Sequence, residues 1–296
     1  MDKSHISTWS FFLTSLCVGF IVLCVGVFYE TAYSDAVKKT ILPTPKEPEK
    51  KVIIKPKSKD HPFQELLSGE DFLESDLKAM QNSPGQNPAQ LWYEEGRTLW
   101  NTKEGAEEKS CATCHNKAEV SMKGIGFRYP AYNEAEKKVI TLEDRINLCR
   151  QKFMKAAPLA TETDNFLALS MYVRGQSSGL PLKIKTKGPA KVYFNLGKKL
   201  YYTKRGKKEH SCASCHEKNL GEIYQGTKLS QGHINGYPAY SISEKRPISA
   251  LKRINACNTL SGSEHFHYGS KEHLALELYL TWRGEGLPVK TPALRK

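Results

Sequence analysis

The chain has 296 residues, eight of them cysteines, and a formal net charge of +13. This length allows one or two ordinary domains. Residues 37–59 hold eight lysines and only two glutamates, so nearly half of the excess charge lies in one Pro/Lys-rich stretch typical of a solvated linker. The composition therefore argues against nucleic-acid binding, and the remaining basic charge suits acidic partners or anionic substrates.

The N-terminal segment is apolar. Residues 9–28 carry no charged side chain and are long enough to cross a bilayer core. Small residues at Ser34 and Ala36 also fit signal-peptide cleavage after Ala36. Both interpretations, a secretory signal or an uncleaved membrane anchor, place the rest of the chain in the periplasm. We divide this part into residues 1–36, signal or anchor, and residues 37–60, flexible linker.

The body of the chain contains an internal duplication, which we call the first repeat (96–181) and the second repeat (197–288). Five blocks recur in the same order. The matched blocks are 96–103 with 197–204, CATCH at 111–115 with CASCH at 212–216, YPAY at 129–132 with 237–240, RINxC at 145–149 with 253–257, and the Arg-Gly…Gly-Leu-Pro segments that begin at Arg174 and Arg283. Seven extra residues within 217–236 of the second repeat are predicted to form a loop.

The repeats are predicted to be helical. Apolar side chains recur at helical spacing in residues 89–102, 164–174 and 271–283. Thr141 and Ser249 are candidate N-caps for helices over 142–154 and 249–257. We therefore expect a mainly α protein with two tandem cytochrome-c-like helical domains, residues 61–187 and 188–296, following the apolar segment and the linker.

Each repeat carries one C-x-x-C-H motif, the attachment signature of c-type haem. A redox dithiol or half of a zinc site is the alternative for a single copy. Two copies in the same context behind an export segment favour two covalently bound c-type haems. The attachment cysteines are Cys111, Cys114, Cys212 and Cys215, and the proximal iron ligands are His115 and His216.

The second axial ligand can be argued by elimination. Cytochromes c commonly use Met or His there, but no methionine follows His216, and the first repeat has no histidine after His115. Cys149 and Cys257 are the ligand-competent residues at matched positions, so we predict cysteine ligation of both haems. A disulfide between them, lysine ligation, or ligation of the second haem by His233, His265, His267 or His273 are the alternatives.

The two repeats differ around these cysteines. Arg145 and Arg253 stand four residues earlier, on the same helical face as the sulfur, where each guanidinium suits either an oxyanion or a haem propionate. Cys257 is followed by a polar stretch over 259–273, whereas Cys149 is followed by Arg150 and a helical continuation. Better solvent access favours the second haem as the catalytic one and the first as structural or electron-relaying.

Over residues 89–296, and most specifically over 197–296, the CASCH, YPAY, R-x-x-x-C-N and Arg-Gly…Gly-Leu blocks resemble the SoxA family. Its members are catalytic subunits of the SoxAX cytochromes of thiosulfate oxidation. The resemblance implies a heterodimer with the monohaem cytochrome SoxX. It also implies oxidative coupling of thiosulfate to a cysteine of the SoxYZ carrier, with two electrons passed to haem.

The resemblance also assigns roles to residues. It implies that Cys257 is the active-site cysteine, found as a persulfide in the family, and that Arg253 and Arg283 position the substrate. Two other functions compete with this one. A thiosulfate dehydrogenase couples two thiosulfates to tetrathionate, and a dihaem electron carrier has no substrate.

Overall fold

The structure, a computed structural model, describes residues 53–296, which cluster into one unit. The predicted signal or anchor and most of the predicted linker lie outside the described residues. Within 53–296, no helix combines the length and apolarity that crossing a membrane requires. The α-helices of the described chain are α1 (Ser75–Asn82), α2 (Ala89–Asn101), α3 (Cys111–His115), α4 (Ala118–Ser121), α5 (Leu142–Cys149), α6 (Asp164–Gly175), α7 (Lys191–Tyr202), α8 (Ala250–Ser261) and α9 (Lys271–Arg283).

Short elements fill the connections. Two segments form π-helical turns, Arg150–Met154 and Ser214–Lys218, and three form 3₁₀ turns, Gly69–Phe72, Gly126–Arg128 and Gly188–Ala190. The strands are β1 (Ala131–Asn133), β2 (Lys138–Ile140), β3 (Ile223–Tyr224), β4 (Thr227–Lys228), β5 (Ala239–Ser241), β6 (Arg246–Ile248) and β7 (Ala293–Arg295). The expectation of a mainly α-helical chain is confirmed for the described residues.

One pair of tightly packed helices forms the framework of each repeat, α2 with α6 in the first and α7 with α9 in the second. The contact points are Gly96 and Gly197, which stand at matched positions. A Cβ on Gly96 would collide with the carbonyl oxygen of Ala168, and one on Gly197 with that of Ala275. Glycine is therefore required at both positions because the two backbones approach too closely for a side chain.

The predicted helix starts are confirmed. Thr141 and Asp144 form a reciprocal capping box at the start of α5, and the Ser249 hydroxyl accepts from the amide of Lys252 at the start of α8. The first of these helices continues beyond Cys149 as the π-helical turn Arg150–Met154 and so reaches the predicted end at 154. The second differs from the prediction, because α8 continues to Ser261 beyond the predicted end at 257.

The strands are a further difference from the helical prediction. The YPAY segment begins a two-stranded hairpin in each repeat, β1 with β2 and β5 with β6. In the second repeat β7 adds to β5 in parallel register. The insertion predicted to be a loop holds the hairpin β3–β4, with a turn at Gln225 and Gly226. Strands of two or three residues are too short to show period-two alternation in a sequence.

The segment before α2 packs against the second repeat. Ile54 pairs with Leu66 in a short β-bridge, and the His61 Nε2 donates to the carbonyl of Arg283 (2.9 Å). Farther along, the Gln81 Oε1 accepts from the amide of Leu294 (2.8 Å). Residues 53–60 of the predicted linker are thus ordered against the body, and the predicted first domain begins with residues that contact the second repeat. The division at 187/188 stays a prediction.

Candidate haem-binding and catalytic site

The attachment motif of each repeat lies at the start of a helical turn. Ser110 caps α3, so that Cys111 occupies its first turn, and the Ser211 hydroxyl accepts from the amide of Ser214 (3.2 Å) in the second repeat. A helical turn places residues three apart on one side. The two sulfurs of each CxxC segment therefore lie on one side of the helical turn, and the histidine follows directly after the second cysteine.

A cavity of about 720 Å³ opens beside the second motif. Its walls bring together Cys212, Cys215 and His216 from the motif with Arg253 and Cys257 from α8. The sequence-predicted residues of the second site, separated by some 40 positions, thus meet around one space. A site of this volume is large enough for a bound cofactor.

The His216 ring is oriented by the backbone. Its Nδ1 lies 2.8 Å from the carbonyl oxygen of Ser230, so Nδ1–H donates and Nε2 keeps its lone pair. Burial lowers the pKa of His216, and the nearby arginines Arg283 and Arg253 lower it further. A neutral imidazole with Nδ1–H bound to a carbonyl is the form that ligates iron through Nε2. This arrangement fits the predicted haem.

Cys257 faces the same cavity from α8. The thiol is accessible from the cavity, yet the surrounding protein desolvates it and raises its pKa, while the guanidinium of Arg253 opposes that rise. Cys215 lies near enough to influence the same thiol. The sulfur predicted to ligate iron and the sulfurs predicted to hold the haem thus line one space, with a cation beside them.

Arg253 is held by two contacts. Its Nε donates to the Tyr237 hydroxyl (3.1 Å), and its Nη2 donates to the main-chain oxygen of Lys296. Tyr237 belongs to the YPAY block, so that block positions the arginine of the RINxC block. This pairing was not predicted from the sequence.

Arg283, which the resemblance implies as a substrate-positioning residue, has no surface on the cavity. Its side chain is fully buried, it pairs with Glu217 through Nη1 (2.7 Å), and it stacks on Tyr201 with its guanidinium carbon 4.2 Å from the ring centroid. It is not among the described residues that line the cavity. Its Nε and Nη2 have no hydrogen-bond partner within residues 53–296, which leaves two donors for an acidic group of a cofactor.

The attachment motif of the first repeat is more exposed to solvent than that of the second. Cys114 is exposed and Cys111 and Cys149 are half-buried. Cys149 is close enough to Cys111 and Cys114 for their charges to interact. The His115 ring packs against Trp100, with 5.8 Å between centroids.

The alternative ligands have other contacts. Cys149 and Cys257 are free thiols, so no disulfide joins them. The His273 Nε2 is 2.9 Å from Glu277, and His265 is bound to Thr259. His233 lines the cavity with its Nε2 bound to Gln231 and its Nδ1 without a partner in the described chain. Cysteine ligation remains the prediction.

Sequence reasoning missed several residues of the cavity wall, among them Arg205, His210, Tyr237 and Asn258. Tyr237 belongs to the YPAY block and Asn258 to the R-x-x-x-C-N block, but neither was predicted from the sequence to belong to the site. Comparison of the two copies position by position would have found Arg205, because it replaces a glutamate of the first repeat.

Comparison with known proteins agrees with this geometry. A family model described as SoxA/TsdA, cytochrome c domain, matches residues 95–182 and 196–289. The L-cysteine S-thiosulfotransferase subunit SoxA of Pseudaminobacter salicylatoxidans is 39% identical over 80% of this chain and 83% of its own length. That of Rhodovulum sulfidophilum is 36% identical over 79% and 81%. The crystal structure of SoxXA from P. pantotrophus superposes with a TM-score of 0.76 and 34% identity, covering 79% of this chain and 88% of that one.

Proposed function

The chain belongs to the SoxA family, and on that premise we propose that it carries two covalently attached c-type haems, one in each repeat. It is a haem-dependent L-cysteine S-thiosulfotransferase subunit of thiosulfate oxidation. The observation that supports the two-haem proposal is the matched set of two attachment cysteines, a histidine and a further cysteine in each repeat. We place catalysis in the second repeat, where Arg253 and Cys257 line a cavity.

The reaction joins one thiosulfate sulfur to a carrier thiol. The thiol loses its proton, a sulfur–sulfur bond forms, and two electrons leave. Thiosulfate dianion and thiol thus give a carrier-bound thiosulfonate monoanion, one proton and two electrons. When bound, the haems supply the one-electron acceptors. A monohaem partner of the SoxX type, as expected of a relative of the SoxXA complex, would receive these electrons.

Residues of the chain bind and orient the reactants. Arg253, held by Tyr237, presents a forked cation that suits an oxyanion. Cys257 places a sulfur beside it on the same helix, close to the attachment cysteines. His216, oriented by Ser230, is the proximal ligand on this proposal. The carrier is a protein of the SoxYZ type, and the substrate is thiosulfate.

The N-terminal segment sets the location. On the proposal that residues 1–36 export or anchor the chain, the haem-binding part works in the periplasm, either free or tethered by the linker. Mass measurement of the mature protein from periplasmic and membrane fractions distinguishes the two cases. A mature chain beginning after Ala36 indicates cleavage, and a chain retaining residues 9–28 in the membrane fraction indicates an anchor.

Product analysis tests the proposed reaction. The purified chain with its monohaem partner is mixed with thiosulfate, an electron acceptor and a SoxYZ-type carrier, and mass spectrometry reads the carrier peptide that bears the reactive cysteine. A thiosulfonate adduct on that cysteine is expected. Free tetrathionate with an unmodified carrier would instead identify a thiosulfate dehydrogenase and overturn the proposal.

A further inference from the structure

The loop before each attachment motif has the same backbone form in both repeats but the opposite charge. Glu104 and Arg205 each stand seven residues before the first cysteine of their motif. Glu104 forms an antiparallel bridge with Lys109, and Arg205 forms the matching bridge with His210. The two side chains therefore leave equivalent loops at equivalent positions.

In the first repeat this glutamate is neutralised. Arg150, the residue after Cys149, is buried and forms an ion pair with Glu104. The same guanidinium donates through Nε and Nη2 to the carbonyl of Ala157 (3.3 and 3.2 Å). The charge beside the first site is thus compensated, and the contacts of the arginine are satisfied within the protein.

In the second repeat the arginine stands in the loop before the attachment motif and not after the RINxC cysteine. Asn258 follows Cys257 where Arg150 follows Cys149. Arg205 supplies the guanidinium instead: its Nη2 donates to the carbonyl of Glu264 (3.1 Å), and its guanidinium carbon lies 4.3 Å from the Phe266 ring centroid.

The two carbonyls that receive these bonds are equivalent. Asn147 exchanges two hydrogen bonds with the backbone of Leu159, and Asn255 does the same with Phe266. Ala157 and Glu264 each stand two residues before that anchor point. A guanidinium therefore contacts the same part of the equivalent loop in both repeats. It belongs to the residue after Cys149 in the first repeat and to the loop before the attachment motif in the second.

The exchange leaves an uncompensated cation in the catalytic cavity. Arg205 now occupies the glutamate position, and no carboxylate within residues 53–296 lies within ion-pair distance of it. It lines the cavity together with Arg253, Cys257 and Asn258. A half-buried guanidinium fixed by one carbonyl and one ring keeps donors free for an anion.

We propose that Arg205 is a second anion-binding residue of the catalytic cavity and takes part in binding thiosulfate there. This inference rests on the proposed function, since it concerns the substrate of the same site. The exchange of the Glu104–Arg150 pair for Arg205 and Asn258 then distinguishes the substrate-binding repeat from the other one. A dianion has enough oxygens and charge to engage two guanidinium groups.

The test is direct binding of thiosulfate to the haem-loaded chain in complex with its monohaem partner, measured by isothermal titration calorimetry. Arg205→Gln is expected to raise the dissociation constant about tenfold or more, the change expected when a charged hydrogen bond is lost. Arg205→Lys should recover part of the affinity. Lys207→Gln removes a positive charge from the same loop but outside the cavity wall, and should bind as the wild type.

A second variant guards against a loss of folding. The double substitution Arg205→Glu with Asn258→Arg rebuilds the ion pair of the first repeat in the second. It should retain haem content and visible spectrum, yet bind thiosulfate at least about tenfold more weakly. An unchanged dissociation constant in either loaded variant overturns the proposal. Calorimetry needs no carrier, so a wild type that binds thiosulfate without modifying the carrier would refute the proposed reaction and leave this inference to be judged by its own variants.

Discussion

The Nδ1 of His216 lies 2.8 Å from the carbonyl oxygen of Ser230, fourteen residues later in the chain. This bond fixes the tautomer and the direction of the ring, so Nε2 is left for iron. Gly232 packs closely against the same ring, because a Cβ there would lie 3.0 Å from the imidazole Cγ. The loop after the attachment motif therefore determines the orientation of its histidine.

Gly232→Ala should disturb the second haem selectively. Gly232 has a φ of +76° and would also press a methyl group on His216, so we expect backbone strain and a displaced ligand. The visible and electron paramagnetic resonance spectra of the second haem should change. Gly226→Ala is the matched control, because that residue has a φ of +72° with open space around its Cβ position. Equal spectra in both variants would contradict the prediction.

Cys257→Ala should abolish thiosulfate transfer, because it removes the cavity sulfur beside Arg253. Cys149→Ala is the matched change in the first repeat and should retain transfer. The measurement is adduct formation on the carrier by mass spectrometry, with haem content checked in each variant. Transfer by a haem-loaded Cys257→Ala protein would place catalysis elsewhere.

Tyr237→Phe should weaken the positioning of Arg253 by removing the hydroxyl that accepts from its Nε. One hydrogen bond to a charged group contributes about 1.5–3 kcal/mol, so we expect a rise of about tenfold or more in KM for thiosulfate with a smaller change in kcat. Tyr129→Phe, in the first repeat, is the control. An identical KM in the Tyr237 variant and the wild type would show that Lys296 alone holds the arginine.

The contact between the repeats should make stability depend on pH. Glu143 lines a polar cavity of about 20 Å³ with Arg174, His273 and Glu277. Burial and the nearby Glu277 raise the pKa of Glu143 above its usual 4.5, although Arg174 and the Ser170 hydroxyl oppose that rise. The surrounding groups also include Asp144, which accepts from Tyr268 at the same contact.

An acid with a raised folded pKa holds its proton more tightly in the folded state than in the unfolded state. The free energy of unfolding should therefore fall as pH rises from about 4.5 through the folded pKa, by at most about 1.4 kcal/mol per pH unit for one proton. Denaturant titrations of Glu143→Gln should show a flatter dependence over that range. Glu272→Gln, on the exposed start of α9, should keep the wild-type slope, and equal slopes in all three proteins would refute the assignment.

Much of the site follows from local sequence. The two attachment motifs, Cys149 and Cys257, and the caps Thr141 and Ser249 are each recognisable from neighbours within a few residues, and duplication marks which of them correspond. Capping and helical spacing act over one or two turns of chain, so they can be recognised without knowledge of the fold.

Only the tertiary structure decided how distant residues meet. It buried Arg283 against Glu217, outside the residues that line the cavity. It attached residues 53–88 to the second repeat, and it brought the Arg205 guanidinium to the loop that Arg150 contacts in the first repeat. These outcomes depend on contacts between residues tens to hundreds of positions apart, and a local pattern carries no information about which distant partner a side chain finds. The sequence by itself determined the chemistry that each repeat is able to perform, and packing determined which charges remain free to perform it.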